Sequence, residues 1–150
     1  MKRLPLLVFA AIATAGFAAT PALAQYRSHL RKVAPSQLTN YWIRTNTYVD
    51  ADAPNSGQGL DKIGCAAVTY IIGTDGKTHD VKVVRVIPST SDFQITARSF
   101  VQALHYAPAE NNTTDMPVAT YFIIPFNVPS GNKTIMQRML KACHLPGYGD

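Results

Sequence analysis

Cysteine, tryptophan and acidic residues are scarce: two Cys, one Trp and 9 Asp or Glu in 150 residues. Neither Cys65 nor Cys143 lies in a C-x-x-C pair, so the usual thiol-redox motif is missing. No His or acid stands at ligand spacing from either cysteine, which argues against a metal site. The four histidines, His29, His79, His105 and His144, form no H-x-x-x-H pattern, and no G-x-S-x-G or paired-carboxylate arrangement occurs. His79 and Asp80 are neighbours, but adjacent strand residues face opposite ways and make a poor dyad. His105 falls at the end of a helical pattern, where a cation suits the helix dipole. The reading is therefore no enzyme and no cofactor. Nucleic acid is also excluded as a partner, because the basic residues are spread along the chain and no basic stripe with stacking aromatics forms.

Long apolar runs are absent after residue 24. Before it, Lys2 and Arg3 precede the apolar stretch Leu4–Ala19, and Pro21-Ala22-Leu23-Ala24 ends in an A-x-A site. This predicts a secretory signal cleaved after Ala24 and an exported product. The alternative is an uncleaved membrane anchor, since the run is only slightly shorter than a span. Removing Lys2 and Arg3 leaves 12 basic against 9 acidic residues, a formal charge of +3 instead of +5.

The mature chain, 25–150, suffices for one small domain. The expected division is a signal at 1–24, a flanking segment and loop at 25–60, a domain at 61–128, and an amphipathic helix with tail at 129–150. Two cysteines in an oxidising compartment predict a Cys65–Cys143 disulfide, the alternative being two unpaired structural thiols.

Extended runs, CAAVTYII from Cys65 and DVKVVRVI from Asp80, flank a tight turn in which Asp75-Gly76 supplies a left-handed residue. Val83-Val84 breaks the alternation of the second run and predicts a bulge or two covered faces. Ser91 and Gln94 fit a capping box, and Phe93, Ala97, Phe100, Val101 and Leu104 make one helical stripe that Pro108 stops. A third strand, Val118, Ala119, Thr120, Tyr121, Phe122, Ile123 and Ile124, ends at Pro125, which cannot donate to a ladder and so marks an edge. Pro35-Ser36-Gln37 opens a short helix with Leu38, Tyr41 and Trp42 on one side. The second helical stripe is Ile135, Met136, Met139, Leu140 and Cys143. The fold class is α+β: a three-stranded antiparallel sheet with one packed helix in β-β-α-β order, plus flanking terminal helices. Both sheet faces are apolar, so the pieces around Trp42 and Met139 are expected to cover the second.

Several residues at matching spacings resemble the C-terminal domain of TonB, the energy transducer of Gram-negative bacteria. They are Gly64, Y-I-I-G-T-D-G-K at Tyr70–Lys77, Pro88, Phe93 with the helix to A-L-H-Y-A-P at Ala103–Pro108, Pro117-Val118, and I-P-F at Ile124–Phe126. The match covers Gly64–Val128, about half of the mature chain. Leu104 stands where the family carries an aromatic, the Tyr-Pro motif before the domain is missing, and no proline-rich spacer precedes it. The resemblance implies that the third strand takes in a peptide as an added strand, for example from a TonB-dependent outer-membrane receptor. Without spacer and anchor, the expectation is docking without force transmission. Two alternatives stand beside it. The edge is covered by the C-terminal segment or in a homodimer, giving a self-associating envelope protein; or the anchor is retained and the chain is a true energy transducer.

Overall fold

The structure is a computed structural model that describes residues 30–54 and 57–149. The signal at 1–24 lies outside the described residues. The element order is β1 (Arg31–Lys32), a 3-10 turn (Pro35–Asn40), β2 (Trp42–Arg44), β3 (Gly64–Ile72), β4 (Thr78–Ile87), α1 (Phe93–Gln102), β5 (Tyr106–Pro108), β6 (Val118–Phe126) and α2 (Lys133–Cys143).

The hairpin β3–β4 and the antiparallel pair β3–β6 form the core of the sheet, with Cys65 opposite Ile87 on one side and Pro125 on the other. The bulge forms where Val83-Val84 breaks the alternation: Ala67 pairs with Arg85 and Val68 with Val83, leaving Val84 over. A second irregularity lies between Thr69 and Ile71, and there Asp80 adopts φ 52°. Gly76 closes the hairpin with φ 71°, as the turn requires. Its carbonyl accepts from the Tyr106 N–H at 2.8 Å, and a Cβ on residue 76 would come within 2.2 Å of the Tyr106 carbonyl oxygen. Gly76→Ala combines a left-handed side-chain penalty with that clash and will destabilise the protein by roughly 2 kcal/mol or more in urea titrations. Gly64 is fixed by contact instead, because a Cβ there would lie 2.1 Å from the Ile87 carbonyl oxygen.

The apolar alternation of β3 sorts into two clusters. Ala66, Val68, Tyr70 and Ile72 pack with Ala97, Val101 and Leu104 of the α1 side. Cys65 and Ala67 pack with Tyr121, Cys143 and Leu145, with Met139 of α2 against them. The sheet is thus sandwiched between helices, and the second face is covered by the piece around Met139. Trp42 lies in the α1-side cluster, which corrects the expectation that its segment covers the second face. In that cluster the Tyr70 and Tyr106 hydroxyls lie 2.7 Å apart. Burial, with Tyr106 alongside, raises the Tyr70 pKa well above its ordinary value, so Tyr70 stays neutral in the core.

Three short strands are added to the expected three, and only one of them extends the sheet. β1 joins β6 in parallel, giving a four-stranded sheet in the order β1-β6-β3-β4, while β2 and β5 make a separate antiparallel pair. Pro108 therefore ends a strand, and α1 stops earlier, at Gln102. The segment expected as a short helix through Trp42 is a 3-10 turn ending at Asn40, with Trp42 opening β2. The capping box does not form. Ser91 Oγ donates to the Pro88 carbonyl instead, and Asp92 becomes the N-cap residue without a side-chain cap bond.

Cys65 and Cys143 are disulfide-bonded across a sequence separation of 78, and both are fully buried. Arg85 of β4 adds a second fastening, its Nη1 donating to the carbonyls of Ala142 (2.9 Å) and His144 (3.0 Å) at the end of α2. At the other end, Asn132 Oδ1 accepts from the Ile135 N–H, capping the helix.

Candidate functional site

The four-stranded sheet has two long strands near its margins, and they are treated differently. β4 is bent by two irregularities and carries Asp80, Lys82 and Arg85, devices that discourage strand addition. β6 has a regular nine-residue register with β3 and no bulge. Its outer side is where the sequence places the docking window, Val118–Ile124.

Part of that window is already taken. Arg31 and Lys32 pair with Val118 and Ala119, the Val33 N–H donates to the Ala119 carbonyl at 2.9 Å, and Thr120 Oγ1 donates to the Val33 carbonyl at 2.7 Å. The segment covering the edge is therefore the N-terminal one, not the C-terminal one. Cover ends because the chain turns away at Ala34 into the 3-10 turn, where Pro35 restricts the preceding residue to an extended conformation.

Backbone direction decides what remains. The Ala119 carbonyl points away from β3, so by strand alternation the same holds for residues 121, 123 and 125. Phe122 and Ile124 turn their backbone groups inward to β3, so they belong to the window only by their side chains. Ile123 presents both N–H and C=O outward. Pro125 presents a carbonyl alone, having no N–H. The Tyr121 ring is buried, edge-on to Tyr148 and to His144. The open edge is therefore shorter than the sequence suggests, and it is centred on Ile123.

Beside that edge lies a groove of about 700 Å³. Pro35 and Ser36 contribute from the 3-10 turn, Tyr121 and Ile123 from β6, and Leu140 and Lys141 from α2. Leu140 is 41 % exposed, an apolar side chain left in solvent on this wall. Sequence periodicity places Leu140 on the packed stripe of α2; the structure puts it at the stripe's margin, facing the groove.

The candidate catalytic groups do not converge. His79 pairs with Asp75 across the hairpin turn at 3.0 Å, not with its neighbour Asp80. The His79 hydrogen bond, followed by that of the Lys77 N–H, lowers the Asp75 pKa, and both side chains are about half exposed. Among the described residues no group of three or more His, Cys, Asp or Glu could hold a metal ion, and no helix is long and apolar enough to cross a membrane.

The geometry defines a mixed α+β class: a four-stranded sheet between two helices, with one margin half covered. No family model and no curated protein sequence matches the chain. Among solved structures the chain is similar to the C-terminal domain of TonB from Pseudomonas aeruginosa, determined in solution by NMR. That likeness has a TM-score of 0.41 at 18 % identity, and covers 59 % of this chain and 87 % of that one.

Proposed function

We propose that the protein is an exported, periplasmic interaction module that takes up an extended protein segment as an added strand on β6. The observation that carries this reading is the open backbone of Ile123 lying directly beside an apolar groove. An unpaired edge supplies main-chain hydrogen bonds, and a neighbouring pocket selects side chains, which is how strand addition combines affinity with choice. The cover from β1 and the proline at 125 leave room for only about two to four partner residues in register, so the contact belongs to the weak, transient class of interfaces. The N-terminal signal pattern and the buried disulfide both suit an oxidising compartment. A TonB-dependent outer-membrane receptor is the partner the motif resemblance suggests.

A photoreactive residue in place of exposed Leu140 tests the reading in exported fractions. Ile123→Pro removes the outward N–H while leaving the inward pairing of Phe122 and Ile124, and Ile123→Val keeps the N–H. Crosslinking is expected to fall by about tenfold in Ile123→Pro and to persist in Ile123→Val, each variant first shown folded by circular dichroism. Undiminished crosslinking in a folded Ile123→Pro protein would defeat the edge reading. A crosslinked species that is a second copy of this chain would instead establish the self-associating alternative.

A further inference from the structure

The last residues of the chain lie on the domain without main-chain support. Their root is firm: Cys143 is bonded to Cys65, Arg85 holds the Ala142 and His144 carbonyls, and Leu145 is buried in the second cluster. Residues 145–149 themselves make no hydrogen bond among the described residues. Pro146 has no N–H to offer, Gly147 (φ 85°) and Gly149 (φ 74°) flank Tyr148, and a Cβ on Gly147 would meet nothing within 4 Å. The Tyr148 ring is what brings the tail back onto the protein. Its centroid lies 4.9 Å from that of Tyr121, and Lys32 Nζ of β1 stands 5.7 Å from it.

Beside this ring a cavity of about 140 Å³ stays unfilled, walled by Leu30, Ile71, Ala119 and Tyr148 among others. It shares no lining residue with the groove beside Ile123. Burial, followed by Tyr121, raises the Tyr148 pKa, so the phenol stays neutral, and its hydroxyl bonds none of the described residues. The slot therefore holds a ring, makes no use of the hydroxyl, and has room beyond its occupant. A cation over the ring face favours indole over phenol. The ring also arrives on a Gly-Tyr-Gly stretch whose main chain is unbonded, so the slot asks nothing of the backbone that carries it. We infer that this slot binds an aromatic side chain, tryptophan before tyrosine, on a flexible segment of another protein, and that Tyr148 is its resident occupant, a latch hinged at Gly147. The slot works whether or not β6 takes up a strand.

One ring pair and one cation over a ring favour the closed latch by a factor on the order of ten to one hundred. The open form is then a minor state of roughly 1 to 10 %. An incoming ring binds with its affinity reduced by that fraction, and removing the resident ring restores it. Because the disulfide, Arg85 and Leu145 hold the root, the latch opens locally and α2 keeps its place. A single side chain in such a slot brings an affinity of about a millimolar.

Nuclear magnetic resonance of the disulfide-bonded full chain, titrated with acetyl-Gly-Trp-Gly-amide and read at the Ile71 and Ala119 methyls, is the test. Tyr148→Ala should bind this peptide about tenfold more tightly than the unaltered chain, or better. Acetyl-Gly-Leu-Gly-amide should move neither methyl. Adding Lys32→Met to Tyr148→Ala removes the cation, keeps the stem, and should weaken the tryptophan peptide by about threefold. In the unaltered chain the peptide should shift the Tyr148 ring signals toward those of an exposed tyrosine while the Trp42 indole signal stays in place. Equal affinity for the unaltered chain and Tyr148→Ala would overturn the latch. No shift at Ile71 and Ala119 in folded Tyr148→Ala, or equal shifts with the leucine peptide, would overturn the aromatic site. Should Tyr148→Ala fail to fold, the unaltered chain decides: methyl shifts together with release of the Tyr148 ring uphold the inference, and an unmoved Tyr148 ring overturns it.

Discussion

Replacing Cys65 and Cys143 together by alanine is expected to remove roughly 4 to 5 kcal/mol of stability, the chain-entropy value for a loop of this length. The separation of 78 residues spans more than half of the 150-residue chain, so the unfolded chain loses much freedom when the bond is present. Small domains hold only about 5 to 15 kcal/mol in total, so the variant should be marginal at 37 °C. The loss will not be confined to the unfolded state. The bond fastens α2 over the second sheet face, and Arg85 holds only its last carbonyls. α2 should therefore become sensitive to protease before the long strands of the sheet, since it loses its covalent tie to β3. Urea titration followed by Trp42 fluorescence, oxidised against double alanine, measures the effect. A difference under about 1 kcal/mol would mean that α2 holds its place without the bond.

Trp42→Ala is expected to cost a further order of the same size, about 3 to 5 kcal/mol, from lost burial and the cavity left behind. Trp42 is 1 % exposed, and its Nε1 donates to the Met116 carbonyl at 2.9 Å. It opens β2 opposite Pro108 of β5, so it fastens the N-terminal segment to the turn before β6. Trp42→Phe separates the two contributions: it keeps an aromatic ring and forfeits the hydrogen bond, and should cost about 1 to 3 kcal/mol through the carbonyl left short of a donor. Thermal unfolding by far-UV circular dichroism reads both variants. Equal losses for Ala and Phe would show that the hydrogen bond, not the ring, anchors the segment.

Local pattern carried much of the architecture. β3, β4 and β6 are long enough for alternation to show, Asp75-Gly76 marks the turn, and the doubled valine marks the bulge at Val84. The α1 stripe and the apolar side of α2 declare which surfaces are buried. The disulfide was legible from an even cysteine count and the expectation of an oxidising compartment, without geometry.

Other elements were hidden because their cause is non-local. β1 is two exposed residues, Arg31 and Lys32, with no periodicity to read; only Val118 and Ala119, far along the chain, make them a strand. β2 and β5 are three residues each, and Pro108 reads as a helix stop when its partner Trp42 is out of view. The polar stretch before β6 gives no signal, yet Asn112 is 5 % exposed and closes it, accepting from the Met116 N–H at 2.8 Å and donating to the Tyr41 carbonyl at 3.1 Å. The capping box failed for a local reason that the spacing does not encode: Ser91 had the Pro88 carbonyl within 2.7 Å.

The candidate site divides in the same way. Pro125 suggests from sequence that β6 is an edge with Val118–Ile124 as its window, whereas in the sheet β6 lies between β1 and β3. That the N-terminal segment would claim its first part could not be read, because it depends on where the chain turns at Pro35. The groove and the exposure of Leu140 likewise arise only when the 3-10 turn, β6 and α2 are brought together.

Amide exchange at Ile123, with the partner captured through the photoreactive residue at Leu140 present and absent, bears most directly on docking along β6. The Ile123 N–H should exchange about tenfold more slowly in the complex, while the Val84 N–H on the opposite margin stays unchanged. Partner binding that leaves Ile123 exchange unaltered would contradict strand addition at this edge.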